Sequence, residues 1–176
     1  MTVGQYIRDN PRRSLSAGAF VLLMALEGFM ALPYKDIAGV WTDGYGNTHG
    51  VVPGKAVTEP EARATLKRHT EVFGQGVLDC LDREPTQGQY DGWTLMAVNT
   101  GLGAPGKADG WCWLKSGRKS TLVRRFNAGD EGGACLAMLQ WVRAGGAYSQ
   151  GLFNRRWKEY QLCIEGTVRW NTGGAR

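Results

Sequence analysis

Pro33-Tyr34-Lys35-Asp36-Ile37-Ala38-Gly39-Val40-Trp41-Thr42-Asp43-Gly44-Tyr45-Gly46-Asn47-Thr48-His49-Gly50 is the stretch on which the fold turns. Gly39, Gly44, Gly46 and Gly50 punctuate it, and its apolar residues (Ile37, Val40, Trp41, Tyr45) are few and bulky. Short strands joined by tight turns have this composition, so residues 34–53 read as a small antiparallel sheet. The flanks on both sides have helical spacing. The expected class is therefore α+β, mostly α-helical, with a small sheet-bearing lobe and a helical lobe flanking a cleft.

Upstream, Leu15, Ala19, Leu22, Leu23, Leu26 and Met30 fall on one helical face, with Ser14 placed to cap it and Pro33 to stop it. Arg12–Arg13 before this apolar run give it the outline of a signal peptide. It runs straight into Glu27 with no small-residue cleavage site, and it is too short to span a bilayer, so it reads as a core helix. Downstream, Thr58-Glu59-Pro60-Glu61 is a capping box that opens a long amphipathic helix, with Ala62, Leu66, Phe73 and Val77 on its apolar face. Further helices are expected near 86–100, 119–127, 131–144 and 150–163, with a decorated loop over 101–117. The expected organisation is an arm over 1–13, one domain over 14–165 and a tail over 166–176. Within the domain, a β-containing lobe covers about 14–60, a linking helix about 59–81 and a helical lobe about 82–165.

The 176 residues are 43% hydrophobic and 21% charged, enough for a packed core. The net charge of +5 draws the chain to polyanions, but the basic residues are scattered and no nucleic-acid-binding motif is present. No large exposed apolar face is evident, so a monomer is expected. Four cysteines (Cys80, Cys112, Cys135, Cys163) lie outside any CxxC, and there are two histidines and no HExxH, so a zinc site is disfavoured. The even count fits two disulfides or four free thiols, with three pairings open; Cys80–Cys163 with Cys112–Cys135 is the weakly favoured one.

Glu27 sits at the end of an apolar helix beside Leu23, Leu26 and Phe29. Desolvation and the negative helix end both favour a protonated carboxyl there, as a general acid needs. Asp36, in a polar turn, is expected to stay ionised. Two carboxyls in contrasting environments are the equipment of a glycosidase. The hydroxyl of Thr42 can help hold a water beside Asp36, and Gly44 and Gly46 would let the backbone approach a sugar closely.

Leu26-Glu27-Gly28, Tyr34-Lys35-Asp36 and Thr42 ahead of Gly44-Tyr45-Gly46 resemble, in order and spacing, the active-site region of glycoside hydrolase family 24, the phage lysozymes and endolysins. Ala97-Val98-Asn99-Thr100-Gly101, Asn127-Ala128-Gly129-Asp130 and Gly151-Leu152 with Arg155-Arg156 are similar to its later segments, so the likeness covers about residues 15–165. The resemblance implies a muramidase of bacterial peptidoglycan that inverts at the anomeric carbon. Glu27 would be the proton donor, Asp36 the water-activating carboxylate and Thr42 its partner. Gly44, Tyr45, Gly46, Asn99 and Arg155 would line the substrate, with Arg155 approaching Glu27 in an ion pair that opposes its protonation. No metal or organic cofactor, nucleic acid or stable membrane insertion is implied. Synthesis in the host cytoplasm and action in the periplasm or cell wall are expected. Two departures stand out: Asp43 where an apolar residue is usual, and Asn47 where many relatives have His. In the 101–117 loop, Trp111, Trp113 and Lys115 either meet glycan or pack a disulfide-tethered surface loop. Rival readings are a lytic transglycosylase, an inactive wall-binding module and a basic nucleic-acid binder.

Overall fold

The structure, a computed structural model, describes residues 13–36 and 38–167. The arm expected over 1–13 (all but Arg13), Ile37 and residues 168–176 of the expected tail lie outside the described residues.

Helix α1 spans Ala17–Glu27, and its cap is Ser16, not Ser14: the Ser16 hydroxyl accepts from the Ala19 N–H at 3.2 Å. The helix ends earlier than its apolar face suggested. Gly28 takes φ 73°, a conformation open to a residue without Cβ, and turns the chain out of the helix while its N–H still bonds Met24. Met30 and Pro33, expected as last turn and stop, instead belong to strand β1, Met30–Lys35. Pro33 is tolerated because a two-stranded sheet has only edge strands. Strand β2, Trp41–Gly44, pairs antiparallel with β1, with Tyr34 opposite Thr42 and Lys35 opposite Trp41.

Helix α2, Glu59–Asp79, opens with the expected capping box: Thr58 and Glu61 each bond the other's backbone. Thr86 and Gln89 repeat the device at α3, Gln87–Thr100. Helices α4 (Thr121–Asn127) and α5 (Glu131–Ala137) are short and capped by Ser120 and Asp130. The helix expected over 131–144 stops at residue 137. A 3-10 turn, Met138–Gln140, leads into a hairpin of β3 (Arg143–Ala144) and β4 (Ala147–Tyr148), turned by Gly145-Gly146. Helix α6 runs from Gln150 to Thr167. No helix among the described residues is long and apolar enough to cross a membrane.

Two hydrophobic clusters share α2 and α3. Ala19, Leu23, Tyr45, Ala62, Leu66 and Leu95 join α1, the hairpin and the two long helices. The larger cluster surrounds Trp93, Trp111 and Phe126 and includes Val77, Met138 and Cys163. Trp111 is fully buried 5.8 Å from Trp93, and the Lys119 ammonium sits 3.9 Å over the Trp113 ring, so the 101–117 loop is packed by its own tryptophans.

The expected disulfide pairing is corrected: Cys80 bonds Cys112 and Cys135 bonds Cys163. The 101–117 loop folds back beside the end of α2, where Leu102 lies against Gly76, which brings Cys112 to Cys80. Helix α5 lies along α6, which brings Cys135 to Cys163.

Helix α6 packs most extensively on α3, and Gly92 permits the close approach. A Cβ at Gly92 would lie 2.5 Å from the Glu159 carbonyl oxygen. This contact seats the second and third turns of α6 under the end of α1, where the candidate site forms.

Candidate active site

Glu27 is the last residue of α1, and its carboxylate is met by α6. Arg155 Nη2 donates to Glu27 Oε1 at 2.8 Å, with the two side chains 22% (Glu27) and 11% (Arg155) exposed. The other oxygen, Oε2, lies 3.8 Å from where a Cβ on Gly46 would stand. The second Gly of the Gly-Tyr-Gly turn therefore lies against the acid.

Asp36 sits in the turn between β1 and β2. Its Oδ1 accepts the N–H groups of Ala38 at 2.8 Å and Val40 at 2.9 Å, and its own N–H bonds the Val40 carbonyl. These bonds fix the carboxylate and leave Oδ2 without a protein partner among the described residues. Thr42 is buried and its hydroxyl donates to the Val40 carbonyl at 3.2 Å. Asp36 and Thr42 are thus hinged on one residue, Val40, at one end of the hairpin.

Gly44 and Tyr45, expected against a sugar, face the packing of their own lobe. A Cβ on Gly44 would lie 2.9 Å from the Ala62 Cβ, and buried Tyr45 donates its hydroxyl to Glu59 at 3.1 Å. Asp43 closes the turn. It exchanges backbone bonds with Asn47, whose side-chain amide donates to Asp43 Oδ1 at 2.9 Å. The two departures in sequence, Asp43 and Asn47, are therefore partners to each other.

Behind Arg155 lies a charged cluster that the sequence expectation did not contain. Arg155 Nε donates to Glu159 Oε1 at 3.0 Å, and Glu159 is fully buried. Arg156, also fully buried, places Nη1 2.8 Å from Glu159 Oε2, off the line a hydrogen bond needs, while Nη2 bonds Asn99 Oδ1. Burial pushes the Glu159 carboxyl up to about 7 against the pull of Arg156 and Arg155, and burial likewise lowers Arg156. Asn99 sits exposed near the end of α3 with its carbonyl oxygen tied to Arg156. The signal for this cluster was present: Arg155 and Arg156 stand four and three residues before Glu159, the spacing that stacks side chains on a helix.

The profile of the phage lysozyme family matches residues 24–159. The SAR-endolysin of Enterobacteria phage P21 is 32% identical over 142 residues, 80% of this chain and 79% of that protein. That of Bacteriophage PS119 is 29% identical over 177 aligned positions, covering 94% and 99%. Among solved structures, the active form of P1 phage endolysin Lyz superposes with a TM-score of 0.76 at 26% identity, covering 93% of this chain and 90% of that one.

Proposed function

The chain belongs to the phage lysozyme family, and from that premise we propose which of its residues perform the muramidase reaction of host-cell lysis. The protein is a phage endolysin, a lysozyme that acts on bacterial peptidoglycan. The bond cut is the β-1,4 link between N-acetylmuramic acid and N-acetylglucosamine. Glu27 is the general acid. Its Oε1 stays with Arg155, and Oε2, on the side toward Gly46, carries the proton to the leaving oxygen. Asp36 is the general base. With Oδ1 held by two backbone N–H groups, Oδ2 is left to take a proton from the attacking water, and the Thr42 hydroxyl orients that water from the adjoining strand. Asn99 and Gly46 border the glycan. The enzyme acts as a monomer, without nucleic acid. It is made in the host cytoplasm and works in the periplasm or cell wall.

One observation carries this reading: Glu27 is held on one oxygen by Arg155, and its other oxygen lies by Gly46, in the turn that continues the hairpin bearing Asp36 and Thr42. A water-activating carboxylate at that hairpin favours hydrolysis over the internal attack of a transglycosylase. Attack by water on the face opposite the leaving group inverts the anomeric carbon, so the first product of β-bond cleavage is the α-anomer. Early-time NMR of the reducing end checks this. Asp36→Asn is expected to lower the rate by about 10²–10⁴-fold, the usual worth of a general base. A β-anomeric first product, or an Asp36→Asn enzyme at wild-type rate, contradicts the assignment.

A further inference from the structure

Arg155 is gripped from two sides. Its Nη2 meets Glu27 at 2.8 Å and its Nε meets Glu159 at 3.0 Å, while Arg156 lies on the far side of Glu159. Two guanidinium groups and two carboxylates balance. On the alkaline side of about 7, where Glu159 is ionised, its carboxylate is what keeps two adjacent cations compensated when Glu27 takes up a proton, as an acid in the reaction must. A neutral side chain of the same size would fill that space without placing a charge at a fully buried position. We propose that Glu159 is a positioning residue for the muramidase reaction: it holds Arg155 from behind, presents one Arg155 nitrogen to Glu27, and shares the Arg155 charge so that Glu27 can carry its proton.

The groups facing Glu159 define what can influence it. From its own helix these are Arg155 and Arg156, and from α1 it is Glu27, reached through Arg155. From α3 the neighbour is Gly92, which does not titrate; Asn99 meets Arg156, and Cys163 is held in a disulfide. Burial raises the Glu159 carboxyl against the pull of Arg156 and Arg155, and the nearby Glu27 charge adds to that rise.

The inference rests on Glu27 being the acid, and the test separates the two. Glu159→Gln keeps an acceptor for Arg155 Nε and removes the charge, so the whole of Arg155 falls to Glu27 and favours its carboxylate. The alkaline limb of the kcat/KM pH profile is expected to move to lower pH by roughly 0.5–1 unit, the lower part of what a charged neighbour does. A residue of purely structural importance lowers the melting temperature and leaves the limb of the folded enzyme in place, and that result overturns the proposal. If the single variant does not fold, Glu159→Asp keeps the charge but draws it back from Arg155, and the alkaline limb is expected to move in the same direction by less; an unmoved limb there overturns the proposal. Glu27→Gln, assayed alongside, identifies which idea has failed. An active Glu27→Gln enzyme defeats the acid assignment, whereas an inactive one beside an unmoved Glu159→Gln limb defeats only the role of Glu159.

Discussion

Glu159 is fully buried, and its carboxyl is pushed up to about 7 by that burial. The unfolded chain releases this proton near 4.5. Between these values the folded state holds the proton more tightly, so stability contributed by the protonated form is complete below about 4.5 and is lost as pH rises toward 7. Comparing wild type with Glu159→Gln isolates this group from the other titrations. Wild type should lose roughly 1–3 kcal/mol relative to the variant as pH rises across that interval, measured by chemical denaturation. A difference that stays constant with pH contradicts a raised carboxyl. The residues of the site differ in how far they could be read from sequence. Glu27, Asp36 and Thr42 lie within one short segment whose spacing carries the resemblance, and Arg155 came with it. The pairing of Glu159 with Arg155 and Arg156 is legible in their spacing, but its burial depends on a helix contact through Gly92, 67 positions away in the chain, which local spacing does not reveal. The turn holding Gly44 and Tyr45 is legible in the sequence, but that it meets α2 through Ala62 and Glu59 is not.

Elements were legible where their ends carry side-chain chemistry. The capping boxes at Thr58 and Thr86 mark the starts of α2 and α3, and both long helices lie close to their expected bounds. Ends were less legible where apolar residues serve either period. Met30 suits a helical face, yet Gly28 had already turned the chain into β1. The helix over 131–144 broke for a related reason, since Gly145 and Gly146 draw the preceding residues into a hairpin. The cysteines show the same limit more sharply, because pairing depends on which element ends meet. Cys80–Cys112 ties the end of α2 to the 101–117 loop, and Cys135–Cys163 ties α5 to α6, over separations of 32 and 28 residues. Closing loops of this length is worth about 3–4 kcal/mol each in the chain-entropy view. Reduction should therefore lower the melting temperature substantially. A non-reduced digest should yield linked peptides holding those two pairs. An unchanged melting temperature, or Cys80 linked to Cys163, contradicts this arrangement.

At the scale of the whole molecule, the small and large hydrophobic clusters are both built on α2 and α3, so the hairpin with Asp36 and the α6 face with Arg155 are set against one frame. The net charge of +5 favours approach to an anionic wall. It does not choose the bond to be cut; in the proposed mechanism that falls to the hairpin, the end of α1 and the second turn of α6. The central claim is that a Glu27-dependent hydrolysis of glycan strands results from this assembly. The most direct test is digestion of purified peptidoglycan by wild type and Glu27→Gln, with mass analysis of the released fragments. The account predicts reducing-end muropeptides, each carrying the mass of one added water, from wild type and none from Glu27→Gln, which remains folded. Anhydro-muropeptides from wild type, or reducing-end fragments released at equal rate by both proteins, would contradict it.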